Sequence, residues 1–144
     1  MAMRNITAQR AYFDTNVFIY LIENNIEYQD KIHMLIERLE SQGCEIYTSE
    51  LTLAECLVKP FQDGNVQSQE TYKESIKTSD FLTVKPVSKN ILIEASRLRT
   101  VAKNKLPDSI HLATALAFEC DIFVGNNKKL RTTDGIRSVI ISDL

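Results

Sequence analysis

The stretch Ala11-Tyr12-Phe13-Asp14-Thr15-Asn16-Val17-Phe18-Ile19-Tyr20-Leu21-Ile22, AYFDTNVFIYLI, changes character at its centre. AYFDT at 11 to 15 is a short hydrophobic run that ends in polar residues, and VFIYLIE follows at once with apolar side chains on all sides. This reads as a buried strand feeding directly into a buried helix. The same alternation recurs downstream and decides the fold class.

From Asp30 to Leu39 the residues Ile32, Leu35, Ile36 and Leu39 recur at helical spacing, and Gly43 follows as a helix stop. CEIYTS at 44 to 49 has strand character, with Ser49 placed to cap a helix containing LTLAECLV. DGNVQS at 63 to 68 is turn chemistry that opens another polar helix, and FLTVKPV at 81 to 87 is a strand ending near Pro86. ILIEASRLR continues as a helix. LPDSIHLATALAFEC at 106 to 120 places Pro107 where a first helical turn tolerates it, with Ile110, Ala113 and Ala117 on one stripe and Leu112 and Leu116 beside it. DIFVG and SVIIS are the last two strands, separated by a loop carrying KKLRTTDG.

The sum is β-α-α-β-α-α-β-α-α-β-β. Parallel neighbours need crossover connections, so this order predicts an α/β fold, a three-layer α/β/α sandwich around a central, mainly parallel sheet. Residues 1–144 are expected to form a single domain, a usual size for one hydrophobic core. In such sheets ligands bind outside the carboxyl ends of the strands, where helix N-termini also point.

Composition narrows the function classes. Apolar residues make up 44% and charged residues 25%, and the chain has only 4 Gly and 3 Pro, which excludes a disordered or low-complexity chain. The longest apolar run, VFIYLI at 17 to 22, is about one third of the roughly 20 residues a membrane span needs. The opening MAMRNITAQRAYF lacks the apolar stretch of a secretory signal, so a cytoplasmic protein without a membrane segment is expected. Cys44, Cys56 and Cys120 are widely spaced among apolar neighbours and read as reduced structural thiols. With only His33 and His111 to join them, they do not make a zinc site. A formal net charge of −2 gives no bulk attraction to polyanions, so any nucleic-acid binding must come from a local patch.

Three carboxylates converge on the carboxyl edge if the strands are placed correctly. Asp14 closes the first strand within Asp14-Thr15-Asn16, where helix capping is its plain alternative role. Asp108 sits in the first turn after Pro107, where the helix dipole also favours a negative charge. Glu55 is surrounded by Leu51, Leu53, Leu57 and Val58, although Thr52 and Glu55 also fit the spacing of a capping box. Carboxylates sharing a cleft raise one another's pKa unless a cation neutralises them. Mg²⁺ or Mn²⁺ fits, because such ions prefer carboxylate and water oxygens and leave positions open for phosphate. No Ser-His-Asp or Cys-His set competes, so water is the expected nucleophile. His111, three residues after Asp108, reads as a structural or supporting histidine. An aspartyl nucleophile at Asp14 is disfavoured because no second acid follows at Asp-x-Asp spacing.

These segments resemble the PIN-domain family, specifically the small toxin ribonucleases of bacterial toxin-antitoxin pairs. The motifs that carry the resemblance are the opening strand with Asp14-Thr15-Asn16, TSELTLAE ending at Glu55, LPDSIHLATA with Asp108, and DIFVGNNKKL at 121 to 130, and together they span nearly the whole chain. The resemblance implies a parallel sheet between helices, three or four acidic residues binding Mg²⁺ or Mn²⁺, an RNA substrate, a homodimer and a cognate antitoxin protein. Asp14, Glu55 and Asp108 match the acidic set as metal ligands and catalytic groups, and Asn16 matches the polar residue that supports the first Asp and the substrate.

In the last motif Gly125 stands in place of the usual Thr, and Asn127 in place of the usual Asp. An amide oxygen can still coordinate a hard cation but brings no charge, so a metal role for Asn127 implies weaker binding. Asp134 reads as turn chemistry in TTDG, and Asp121 begins its strand and so belongs to the opposite edge. Arg97, Arg99, Lys103 and Lys105 precede Asp108, while Lys128, Lys129 and Arg131 follow Asn127. Lys103, Lys105 and Lys128 are the expected contacts to a phosphate backbone. The reading is a metal-dependent endoribonuclease, the toxin of a toxin-antitoxin pair; its rival is a degenerate domain that binds RNA or a protein partner without cutting.

Overall fold

A computed structural model describes residues 2–133 and 135–144. Asp134, read above as turn chemistry, lies outside the described residues. The strands are β1 (Arg10–Phe13), β2 (Glu45–Ser49), β3 (Thr83–Lys85), β4 (Ile122–Gly125) and β5 (Arg137–Ile140). Between them lie α1 (Thr15–Ile22), α2 (Gln29–Ser41), α3 (Glu50–Gln62), α4 (Val66–Ser75), α5 (Lys89–Ala102) and α6 (Leu106–Ala117). The expected order of elements is the observed one. SVIIS departs in detail: the strand stops at Ile140 and Ile141–Asp143 form a 3-10 turn.

All four strand pairings are parallel and the sheet order is β3-β2-β1-β4-β5. The strand side chains alternate between two cores, as the pleat requires. Ala11, Phe13, Ile46, Ile122 and Val124 pack on one face with Val17 and Phe18 of α1, Ile32, Leu35 and Leu39 of α2, Cys56 of α3 and Tyr72 of α4. Tyr12, Tyr47 and Phe123 pack on the other with Ile91, Ala95 and Leu98 of α5 and Leu112, Ala113 and Ala115 of α6. Covering both faces removes most side chains of the three central strands β2, β1 and β4 from water, while the edge strands β3 and β5 stay partly exposed. This is the predicted three-layer α/β/α sandwich.

Local chemistry sets the boundaries. Asn65 caps α4 by accepting from the Ser68 N–H at 3.0 Å, and Ser88 caps α5 through Ile91 at 3.2 Å. Gly43 follows α2 at φ +70°, the left-handed geometry a helix stop uses. Ser49, expected to cap α3, occupies the N-cap position without making the side-chain bond. Its hydroxyl lies instead 2.9 Å from the Tyr12 phenol oxygen, because Ser49 is buried at the end of β2 beside β1 and a buried tyrosine needs a polar partner. The Thr52–Glu55 capping box does not form either: the Thr52 hydroxyl pairs with that of Thr48 at 2.7 Å. On α6, Leu112 and Ala113 are buried as expected, whereas Ala117 is exposed at the last turn. The three thiols are free, and burial pushes Cys44 up to about 11 and Cys56 and Cys120 up to about 12, as inert structural thiols require.

Candidate metal centre

β1 is the middle strand, and the chain leaves it towards β2 on one side while β4 returns on the other. That reversal opens a crevice at the carboxyl ends of β1 and β4. Asp14 follows β1 immediately, and its backbone N–H donates to Val124 O at 2.9 Å, tying it to the end of β4. Its Oδ1 accepts from the Thr15 N–H at 2.8 Å, so Asp14 does cap α1. Capping occupies one oxygen; Oδ2 accepts no hydrogen bond among the described residues, in a residue only 8% exposed. Gly125 makes this placement possible. A Cβ there would lie 3.2 Å from Asp14 Oδ2 and 3.3 Å from its Cβ, closer than ordinary contact.

Glu55, one turn and a half into α3, reaches the same crevice. Its Oε1 accepts from the Thr15 hydroxyl at 2.7 Å and from His111 Nε2 at 2.5 Å. The same Nε2 stands 3.5 Å from Asp14 Oδ1 and 3.3 Å from the Thr15 hydroxyl. On the far side of the ring, Nδ1 is 2.7 Å from the Tyr12 hydroxyl, which in turn meets Ser49. Tyr12 is held by a stacked contact with Phe123, their ring centroids 5.3 Å apart. A continuous polar chain therefore runs from Ser49 through Tyr12, His111 and Glu55 to Thr15 beneath the crevice. The sequence reading passed over Tyr12 and Thr15 and gave His111 a supporting role beside Asp108. The imidazole instead bonds Glu55, because α6 packs that face of its first turns against β1 and β2.

The electrostatics follow from burial of like charges. Burial raises Asp14, the charges of Asp108 and Glu55 raise it further, and His111 and the Thr15 N–H oppose them. Asp108 is raised by burial and by Glu55, against the pull of His111 and Lys105. For Glu55 burial acts upward, but the bonds from His111 and Thr15 outweigh it and its carboxyl lies below the usual value. Burial depresses His111, yet the Glu55 hydrogen bond and the charges of Asp14, Glu55 and Asp108 carry it above the usual imidazole value.

The predicted site residues are brought together unequally. Among the described residues, one group of ligand-type side chains has its donor atoms within 4.8 Å of one another, and it is Asp14, Glu55 and His111. Asp108, half-buried in the first turn of α6, is near enough to perturb Asp14 but stands outside that group. Asn16 lies half-buried in the first turn of α1, whose cap is Asp14. The Asn127 Oδ1 accepts from the Lys129 N–H at 3.0 Å and closes a turn of its own loop. Lys103 and Lys105 are exposed before Asp108, whereas Lys128 pairs with Asp143 at 3.3 Å. Asp121 accepts from the Gln9 and Arg10 N–H groups at the start of β1, on the edge opposite the crevice as expected.

A family model described as PIN domain matches residues 11–136, most of the chain. The chain belongs to the PIN domain family. No curated protein sequence matches this PIN domain. Solved structures do. A toxin-antitoxin complex from Klebsiella pneumoniae is 24% identical, with TM-score 0.66, covering 91% of this chain and 97% of that one. The VapBC2 complex of Rickettsia felis bound to a promoter DNA fragment is 18% identical, with TM-score 0.72, covering 91% and 98%. VapC20 of Mycobacterium tuberculosis, a Sarcin-Ricin loop cleaving toxin, is 14% identical, with TM-score 0.62, covering 78% and 86%. At these identities the likeness is one of fold.

The residues of this PIN domain fit a divalent cation. A buried carboxylate with one oxygen lacking a donor, and a second carboxylate and an imidazole nitrogen beside it, are the oxygen-rich set that such ions accept.

Proposed function

We propose that this PIN domain is a metal-dependent endoribonuclease, the toxin of a toxin-antitoxin pair, acting as one domain over residues 1–144. The observation that carries the reading is the pairing of Asp14 with Glu55 at the carboxyl end of the central strand, with Asp108 close enough to feel their charge. Asp14 and Asp108, each raised by burial and by neighbouring negative charge, are costly to ionise in this crevice unless a cation neutralises them. The similar solved structures, described as toxin-antitoxin complexes and in one case as a Sarcin-Ricin loop cleaving toxin, support the same class of activity and partner.

Asp14, Glu55 and Asp108 would hold Mg²⁺ or Mn²⁺, with Asn127 at the margin. When bound, such an ion polarises a phosphoryl oxygen and lowers the pKa of water. Glu55 is ionised in the neutral range, and its Oε2 has no donor among the described residues, so it is the group suited to take a proton from water. Asn16 contributes a polar side chain at the mouth of the crevice. Lys103 and Lys105, exposed on the approach to Asp108, hold the RNA backbone, and Lys128 joins them once its pair with Asp143 opens. A cytoplasmic homodimer bound by a cognate antitoxin completes the proposal.

Cleavage of a structured RNA with Mg²⁺ or Mn²⁺ tests it. The native chain should cut, and Asp14→Asn, which keeps a good helix cap, should lose at least two orders of magnitude; equal activity would overturn the reading. One observation favours the rival, a domain that binds without cutting: the Asn127 side chain, uncharged, is spent on the Lys129 N–H. Calorimetric titration with millimolar Mn²⁺ decides between them, since the rival expects no binding.

A further inference from the structure

The proposed function gives no task to Tyr12, Thr15 or His111, yet their hydrogen bonds end on the carboxylates of the crevice. Thr15 holds two of these at once: its N–H donates to Asp14 Oδ1 at 2.8 Å and its hydroxyl to Glu55 Oε1 at 2.7 Å. His111 adds a second donor to Glu55 Oε1 at 2.5 Å. Each carboxylate therefore has one oxygen held, while the other, Asp14 Oδ2 or Glu55 Oε2, has no donor among the described residues.

The second donor is itself set from behind. A carboxylate accepts, so the hydrogen of the His111–Glu55 bond lies on Nε2, and Nδ1 of the neutral ring accepts from the Tyr12 hydroxyl at 2.7 Å. The Tyr12 oxygen then accepts from the Ser49 hydroxyl at 2.9 Å. None of these groups can turn to water instead, for Tyr12 and Ser49 are fully buried and His111 is 1% exposed. Packing does not ask for the phenol oxygen. A phenylalanine at position 12 would fill the same strand position and stack on Phe123 equally well, so the hydroxyl serves the imidazole. A partner on one ring nitrogen fixes which nitrogen carries the hydrogen and where the ring points.

Resting on the metal-dependent reading above, we infer that Tyr12 and Thr15 are positioning residues: Tyr12 acting through His111, and Thr15 acting directly, fix Glu55 by its Oε1 so that Oε2 is the oxygen left to the ion or its water. The ligands remain Asp14, Glu55 and Asp108, and His111 stays outside them as a hydrogen-bond donor. A glutamate free to rotate would have to be ordered each time an ion bound; one held from beneath is ordered when the chain folds.

The full chain, metal-free and loaded with Mn²⁺, tests this. In metal-free native protein the buried His111 Nε2 hydrogen should give a sharp downfield imidazole proton resonance, which replacing the exposed His33 by Gln leaves in place. Tyr12→Phe should broaden that resonance, weaken Mn²⁺ binding about 10-fold in calorimetry, and lower kcat on a structured RNA about 10-fold with KM unchanged. Thr15→Val should weaken Mn²⁺ binding about 10- to 100-fold and Thr15→Ser should restore it, a rescue that does not depend on how Tyr12→Phe folds. Native affinity and native kcat in folded Tyr12→Phe, or native affinity in Thr15→Val, overturns this inference and leaves the nuclease reading standing. A native chain that binds no Mn²⁺ overturns both. A native chain that binds Mn²⁺, loses affinity in both variants and cuts no RNA upholds the positioning of Glu55 and sinks the nuclease.

Discussion

Asp14 uses one carboxylate oxygen to cap α1 and keeps the other in a crevice where its ionised form is costly. The pH dependence of stability follows from that cost and from its neighbours. His111 is raised above the ordinary value of about 6.5, so its contribution is complete below that pH and is lost as pH rises through the folded value. Asp14 and Asp108, also raised, act with the same sign from a lower starting point near 4. Glu55 is lowered and acts oppositely, losing its contribution only as pH falls through its depressed value. Metal-free protein should therefore melt at progressively lower temperature as pH is raised above about 6.5; a flat or rising profile in the presence of chelator contradicts this electrostatic account. Gly125 answers to a different force. Gly125→Ala would press a Cβ to 3.2 Å from Asp14 Oδ2, and we expect a loss of about 1–3 kcal/mol in urea unfolding together with weaker Mn²⁺ binding.

The two loops beside the crevice behave as one element because Asn104 ties them together. Lys103 ends α5 in a left-handed conformation, φ 62°, and turns the chain so that the next side chain points inward. The buried Asn104 amide then donates to Arg131 O at 2.8 Å and accepts from Arg131 N–H at 3.0 Å, a pairing that mimics a strand. Lys103 and Lys105 are in this way held alongside the loop of Lys128 and Lys129. Asn104→Ala should cost about 1–3 kcal/mol, since it strands two backbone groups, and should speed amide exchange through residues 126–133. Unchanged exchange would show that the loops are held by something else. At this scale the reading from the sequence succeeded where hydrophobic period dominates and failed where a side chain chose a distant partner. Ser49 and Thr52 look like caps because capping is local and common, but each is turned inward to a buried hydroxyl, from Tyr12 and Thr48. A tyrosine inside a buried strand was the available signal, for its hydroxyl must find a partner.

Across the whole molecule the five-stranded sheet separates two apolar cores, one under α1 to α4 and one under α5 and α6. The strands contribute alternate side chains to both, so neither core is expected to survive loss of the other. Far-ultraviolet and near-ultraviolet circular dichroism should accordingly report one coincident unfolding transition over residues 1–144; separated midpoints would show two cooperative units. With a formal net charge of −2, the proposed binding of RNA would have to be a local matter, dependent on the lysines of the tied loops.

The sequence by itself determined the order of elements, the parallel three-layer class and the family, because those rest on periodicity and on motifs contiguous in the chain. It also marked Asp14, Glu55 and Asp108, since each sits at a strand end or near a helix start. Only the tertiary structure decided the strand order β3-β2-β1-β4-β5, and with it which side chains share the crevice. That arrangement set His111 against Glu55 and left Asp108 outside the tight group. The physical reason is that these contacts join residues as many as 99 positions apart, as Tyr12 and His111 are, and their geometry is fixed by packing across the sheet rather than by any local preference.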